Sequence, residues 1–486
     1  MRINTNMRYT FLLIISILIL SSCNAKHHHS NEYDVYTQSY NCIQPKQLSF
    51  TGSIYYYTFM WENERDREWE EDVVYFATVV LEAHPLFINN EVFVRNHINR
   101  IRFSSLSRHI FYDAELRHKF IVQVNNLIAQ IPNLSDIEIF MSLSRLLALT
   151  DDSHTRMLFH TWDFGPMIPM AFWHLCEGLY VRVAPSEFEE ILLSRLIAIN
   201  GVCVEEIYEL LYPIISGTEK TVMFFLPSLL FQQDILTYLN IVEEDSATAA
   251  LKFVNIDGQV STVEVPFVGQ VGITESANLV EHTIDTEILM QHSRPSENYW
   301  FKYFPEESLF YLRMRRSQEV AGLASRLFFS DIKEKIIEMS GVEKFVIDLR
   351  GNSGGASLEG YDIFLRWLMF EEGYALLGRV FIAIDLGTVS AGVIFASQMN
   401  YVVENSILIG QSTAGAVNFF SNATTRTLPN SNISFQVSRG YSISWPSYEY
   451  SSLMPNIYIP RTIEDYRDSR DVVLEFIKAY QITTED

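Results

Sequence analysis

Apolar residues follow three successive spacings along this chain. From 66 to 165 the period is helical. Asp72–Leu81 predicts a buried helix that stops before His84-Pro85, because proline interrupts the backbone ladder. Phe120, Val124 and Leu127 fall at i, i+4 and i+7, one face of a second helix. Ser135 followed three residues later by Glu138 predicts a capping box opening a third, over 137–149. From 166 to 268 the pattern shortens to strands. Gly178–Val183 alternates, Leu196–Val202 reads as strand and turn around Asn200-Gly201, and Val204–Leu211 is a helix. From 269 to 486 strands alternate with helices: Leu309–Met314, Lys344–Leu349 and Val380–Asp385 as strands, Ala321–Met339 and Glu359–Phe370 as helices. That alternation predicts an α/β domain.

The first 65 residues are different in kind. Arg2 and Arg8 precede the apolar run Phe11–Leu20, and Leu20-Ser21-Ser22-Cys23 follows. A basic start, a short apolar run and small residues form a secretory signal over 1–22, and the run is too short for a stable membrane span. Leu-Ser-Ser-Cys resembles a bacterial lipobox. The resemblance implies a diacylglycerol on Cys23, export, and anchoring to a bacterial membrane facing outside the cytoplasm. Acyl chains contribute roughly 0.8 kcal/mol per buried methylene, so several chains anchor firmly. Residues 23–65, rich in Tyr, Ser, Asn and Gln, read as tether and arm. His27-His28-His29 lies in that tether with no second ligand cluster, so a solvated linker is expected and no metal. The sequence implies no cofactor.

Composition narrows the partners. The formal net charge is −23, which argues against nucleic acid and against adhesion to anionic lipid surfaces. Of 486 residues, 48% are hydrophobic and 13% aromatic, enough for large cores in two or three domains. The four cysteines are Cys23, Cys42, Cys176 and Cys203. With Cys23 lipidated, at most one disulfide can form within the chain. Reduced cysteines are expected, and Cys176 with Cys203 is the pair if any forms.

Three separated segments carry the candidate chemistry. Val346–Gly355 breaks from an apolar run into a glycine-rich turn whose amides can converge on a developing oxyanion, cradle a phosphate, or simply turn the chain. Gly387–Gly392 places Ser390 on a tight strand-to-helix turn, as a nucleophile or as an ordinary N-cap. Asp152-Ser153-His154-Thr155 ends a helical pattern, and His154 there is a general base or a loop histidine without a task.

Together these pieces resemble the tail-specific (C-terminal processing) serine proteases, a family that includes the tricorn core protease and the retinoid-binding-protein repeats. Asp348–Gly355 is similar to the D-x-R-G-N-x-G-G signature, Ser390-Ala391 to the nucleophile step, and Leu408–Gly415 to the I-G-x-x-T-x-G turn. Asp152–Thr155 resembles the D-[GS]-H-T element of the histidine-using, tricorn-like branch. Pro455–Ile459 and Arg470–Leu474 resemble the closing P-D-[IV] and R-D-x-x-L elements. The resemblance runs from about 66 to 480. Two positions depart from it. The branch that pairs its serine with lysine carries that lysine where this chain has Ala416. Val393 stands where many relatives have glutamate.

The resemblance implies a helical N-terminal domain (66–165), a PDZ-like module (166–268) and a ClpP/crotonase-like β-β-α spiral catalytic domain (269–486). The PDZ-like module would add a peptide to its sheet edge, although no carboxylate-binding glycine loop is evident before Leu179. In the implied mechanism Ser390 attacks a peptide carbonyl and His154 takes its proton. Ser153 orients the imidazole, and Gly354 or Gly355 with the Ala391 amide holds the oxyanion. Glu449 stands at the distance after the nucleophile expected of a supporting acid; its other reading is an exposed acid in a tyrosine-rich loop. The substrate would be a peptide or protein, and assembly into a homo-oligomer stays open. Two rivals remain: an inactive member binding a peptide or a small apolar ligand, and an esterase using the same serine.

Overall fold

Strands buried on both faces organise the C-terminal half. A computed structural model describes residues 63–88, 111–269, 278–319, 325–339, 341–356, 359–370, 373–404 and 406–482. Signal, lipobox, His27–His29, Cys42 and most of the arm lie outside the described residues.

A six-stranded sheet is ordered β18-β13-β12-β11-β10-β9. Its members are β9 (Tyr299–Phe304), β10 (Leu309–Met314), β11 (Lys344–Asp348), β12 (Arg379–Ile384), β13 (Ile407–Gly410) and β18 (Ile457–Tyr458). All neighbours are parallel except β9 and β10. Helices α7 (Ser325–Glu338), α8 (Glu359–Phe370) and α9 (Ala391–Val402) cross between consecutive parallel strands. Side chains alternate between two cores. Phe345 and Ile347 of β11 and Ile382 of β12 join the helices of one face. Val346 and Phe381 face the other, against α11 (Val472–Ala479). That double burial explains why these strands read as continuous apolar runs. Each large side chain fully buried here contributes roughly 1.5–3 kcal/mol. The fold is α/β, as the alternation of elements predicts.

The N-terminal helices are α1 (Glu64–Ala83), α2 (Ala114–Gln130) and α3 (Asp136–Ala148). Phe120, Val124 and Leu127 are buried, and the Ser135–Glu138 capping box is present. α3 leads into Asp152–Thr155 and the short strand β1 (Arg156–Met157), which pairs antiparallel with β16 (Ser434–Val437).

A second, seven-stranded sheet follows the path β2-β3-β4-β6-β7. These are β2 (Ala171–Leu175), β3 (Gly178–Pro185), β4 (Arg195–Ile199), β6 (Thr248–Val254) and β7 (Val260–Pro266). β5 (Val202–Cys203) pairs with β4, and β8 (Leu279–Glu281) pairs with β3. The expected Asn200-Gly201 turn and the helix α4 (Val204–Leu211) are present, and α5 (Glu219–Leu229) follows. Cys176 and Cys203 are not joined to each other by a disulfide. No helix among the described residues is long and apolar enough to cross a membrane.

Candidate active site

Strand β12 ends at Ile384, and the chain turns sharply into α9. Ser390 occupies the turn with φ 52° and ψ −120°, a conformation that costs a non-glycine residue roughly 1–3 kcal/mol. It precedes α9 at the N-cap position, yet its side chain caps nothing. The hydroxyl points instead to His154, whose Nε2 lies 3.0 Å from Ser390 Oγ. The strain and the unused cap separate this serine from an ordinary N-cap. Tight packing holds the turn: a Cβ on Gly415 would lie 3.2 Å from Ser390 N and 3.0 Å from Val393 Cγ2. Val393 is fully buried, so an apolar contact occupies the position where the resemblance puts glutamate.

His154 arrives from the loop after α3. Its ring stacks 5.0 Å from that of Phe419 at an interplanar angle of 9°. Nδ1 has Ser153 Oγ at 3.4 Å and Asp152 Oδ1 at 3.9 Å. With Nδ1 facing those oxygens as the protonated nitrogen, Nε2 presents its lone pair to the Ser390 hydroxyl. Burial pushes the imidazole pKa below its ordinary value; the Asp152 charge opposes the shift, and that of Arg156 adds to it.

Asp152 is the acid at this site. It is buried and accepts hydrogen bonds from the His154 amide (2.9 Å) and from Thr155 Oγ1 (2.6 Å). On its far side, His84 Nε2 lies 3.3 Å from Asp152 Oδ2. His84 Nδ1 accepts the Leu86 amide, so Nε2 carries the proton and donates it to the carboxylate. Burial alone would raise the Asp152 pKa; the hydrogen bond from His84 and the electrostatic influence of the His84 and His154 rings outweigh it, and the pKa falls. The carboxylate therefore stays ionised beside the His154 ring. The sequence contained the signal in Asp152-Ser153-His154 itself. His84, C-cap of α1 and N-cap of the short turn after it, reads as a purely structural residue in sequence.

Glu449 is exposed on the loop between β17 (Gly440–Ile443) and β18, and it does not line the Ser390 pocket. The structure does not bring it to His154 or Ser153. A loop residue 59 positions after the serine is placed by tertiary packing that sequence spacing does not encode.

The glycine turn divides its amides. Gly354 N–H donates to Asn352 Oδ1 at 2.9 Å, so it is committed within the turn and is not an oxyanion donor. Gly354 serves close approach instead: at φ 86°, a Cβ there would lie 2.7 Å from Ser390 Cβ. Gly355 and Ala391 line the pocket with Ser390. Ala391 opens α9, where the first amides have no intrahelical acceptor, and neither it nor Gly355 donates to a backbone carbonyl among the described residues. Those two amides form the candidate oxyanion hole.

Asp348 and Arg350 do not enter the pocket. Arg350 bridges Asp348 (2.6 Å) and Asp471 (2.8 Å), all three side chains nearly fully buried. Tyr311 donates to Asp348 at 2.5 Å. Burial would raise the Asp348 pKa, but the Arg350 and Arg313 charges hold it far below the usual carboxylate range. The charged part of the signature therefore braces the turn, and its glycines shape the site.

The pocket has a volume of about 610 Å³, and among the described residues its titratable lining groups are His154 and Arg156, with no lysine. Among the described residues no cluster of His, Cys, Asp or Glu could hold a metal.

The fold matches solved structures. Mature CPAF superposes with a TM-score of 0.56 at 13% identity, covering 86% of this chain and 97% of that one. Mature CPAF complexed with lactacystin superposes at 0.55 and 13% identity, covering 85% and 97%. At this identity the likeness is one of fold. No family model matches the chain, and no curated protein sequence matches it.

Proposed function

We propose that this protein is a serine endopeptidase of the tail-specific protease type, with Ser390 as nucleophile and His154 as general base. The observation that carries the reading is the 3.0 Å contact between His154 Nε2 and Ser390 Oγ, at a helix N-terminus beside two uncommitted amides. The resemblance of the ordered motifs and the fold shared with mature CPAF support it.

In this mechanism Ser390 Oγ attacks the scissile carbonyl as its proton moves to His154 Nε2. Negative charge on the carbonyl oxygen meets the Gly355 and Ala391 amides, each worth a few kcal/mol in the transition state. Asp152, ionised and anchored by His84, stabilises the imidazolium through space and holds the loop through the His154 amide. The imidazolium then protonates the leaving amine, and water repeats the sequence on the acyl-enzyme.

Export and lipid attachment at Cys23 belong to the same proposal, supported by the signal and lipobox patterns. The test is cleavage of internally quenched peptides by the mature protein. Turnover that disappears in Ser390→Ala supports the reading. Hydrolysis of simple esters without any peptide cleavage favours an esterase, and no hydrolysis by folded protein favours a binding protein.

A further inference from the structure

A second cavity of about 560 Å³ adjoins the Ser390 pocket. The two share a wall made by Arg156 and Phe225. Beyond that wall the lining is largely apolar, with Leu158, Phe159, Trp162, Phe164, Ile215 and Leu229. A concave, mostly apolar cavity with few polar groups is the usual form of a site that selects a large apolar group.

Arg156 sits at the junction. Its guanidinium carbon lies 4.6 Å from the centroid of the Phe225 ring, a cation–π distance. Its Nε is buried without a hydrogen-bond partner among the described residues. Burial lowers its pKa, and the opposing charge is that of Asp152. Asp152 is already engaged by His84, Thr155 and the His154 amide. Arg156 is half-buried, with its Nε sealed from solvent and no acceptor for it among the described residues; burying such a donor unpaired is costly, and an incoming anion relieves that cost. Gln232 lines the cavity, and its Oε1 is a second buried polar atom without a hydrogen-bond partner among the described residues.

We infer that this cavity is a substrate subsite for a large apolar side chain, and that Arg156 receives a carboxylate carried next to that side chain. The two pockets lie side by side at Arg156 and Phe225, so the proposed occupant is a neighbouring part of the peptide whose scissile bond lies at Ser390. This inference rests on the peptidase reading and adds a substrate class to it: apolar, carboxylate-bearing peptide segments. The carboxylate comes from an Asp or Glu side chain or from a free peptide C-terminus.

The test is equilibrium binding of fluorescent octapeptides to full-length Ser390→Ala protein, read by anisotropy, with no turnover required. One pair of peptides carries Phe-Glu or Phe-Gln internally; a second pair ends in Phe with a free or an amidated C-terminus. At least one carboxylate form should bind roughly tenfold or more tightly than its neutral partner, as a charge-assisted contact provides. The pair that shows the difference identifies the source. Adding Arg156→Gln should abolish the preference, and Arg156→Lys should retain part of it. Ser228→Trp, which narrows the cavity, should remove preference for Phe over Ala even if the arginine variants fold poorly. Equal binding within both pairs, or a preference that survives Arg156→Gln, overturns the inference. A wild-type protein that cleaves no peptide counts against the peptidase reading alone.

Discussion

Arg350 and Asp471, 121 residues apart, form a two-point ion pair: Nη1 to Oδ1 and Nη2 to Oδ2, each at 2.8 Å. The same guanidinium grips Asp348 at the end of β11. Asp471 in turn caps α11 through the Leu474 amide at 3.0 Å. One buried cation thus ties the strand that delivers the glycine turn to α11. The two sequence elements resembling D-x-R-G and R-D-x-x-L are parts of a single brace.

Breaking that brace should destabilise the protein strongly. Arg350→Ala leaves two buried carboxylates without their main partner, a change that costs about 3–5 kcal/mol when one member of a buried pair is removed. Chemical denaturation of wild type and variant measures it. A loss below about 1 kcal/mol would contradict the role given to Arg350.

Stability should also fall in acid for the same reason. The Asp348 pKa is depressed in the folded state, so its contribution is complete above the unfolded carboxylate value, near about 3.9. The contribution is lost as pH falls from there toward the folded value. Melting temperature should be flat from neutral pH to about 4.5 with respect to this group and drop below about 4. A wild-type drop no larger than that of Arg350→Ala would argue against it.

The catalytic pH profile should have its acidic limb below the ordinary histidine range. Burial lowers the His154 pKa, and in the proposed mechanism His154 works only when neutral. The apparent pKa of kcat/KM in acid should therefore lie under about 6.5. Asp152→Asn removes the charge that opposes this shift, so the limb should move further down while kcat falls about 10- to 100-fold through loss of imidazolium stabilisation and loop geometry. An upward move of the limb would contradict the electrostatics described.

Gly354→Ala should abolish most activity although its amide contacts no substrate. A Cβ would sit 2.7 Å from Ser390 Cβ at a backbone φ of 86°. The nucleophile must shift, and displacement by about 1 Å costs on the order of 10² in rate. Wild-type kcat in this variant would show that the turn yields more easily than its packing indicates.

Much of this was legible in sequence. The α8 range of Glu359–Phe370 follows from its apolar period, and Ser390 and His154 follow from motif order. Local patterns encode helices, strands and turns because their periods are local. What the sequence withheld depends on long-range side-chain contacts. His84 meets Asp152 across 68 residues, and only packing reveals that pairing. The committed amide of Gly354 is a hydrogen bond to Asn352 that its spacing alone does not distinguish from a free donor. Glu449 shows the converse, a suitable spacing that tertiary structure leaves exposed.

The central claim is that His154 activates Ser390. Fluorophosphonate labelling followed by mass-spectrometric mapping measures it most directly, in wild type, Ser390→Ala and His154→Ala proteins verified as folded. The account predicts an adduct on Ser390 in the wild type, none at that position in Ser390→Ala, and labelling slowed by about 10³-fold or more in His154→Ala. A folded wild-type protein that takes no label at Ser390, or a His154→Ala variant labelled at the wild-type rate, would contradict it.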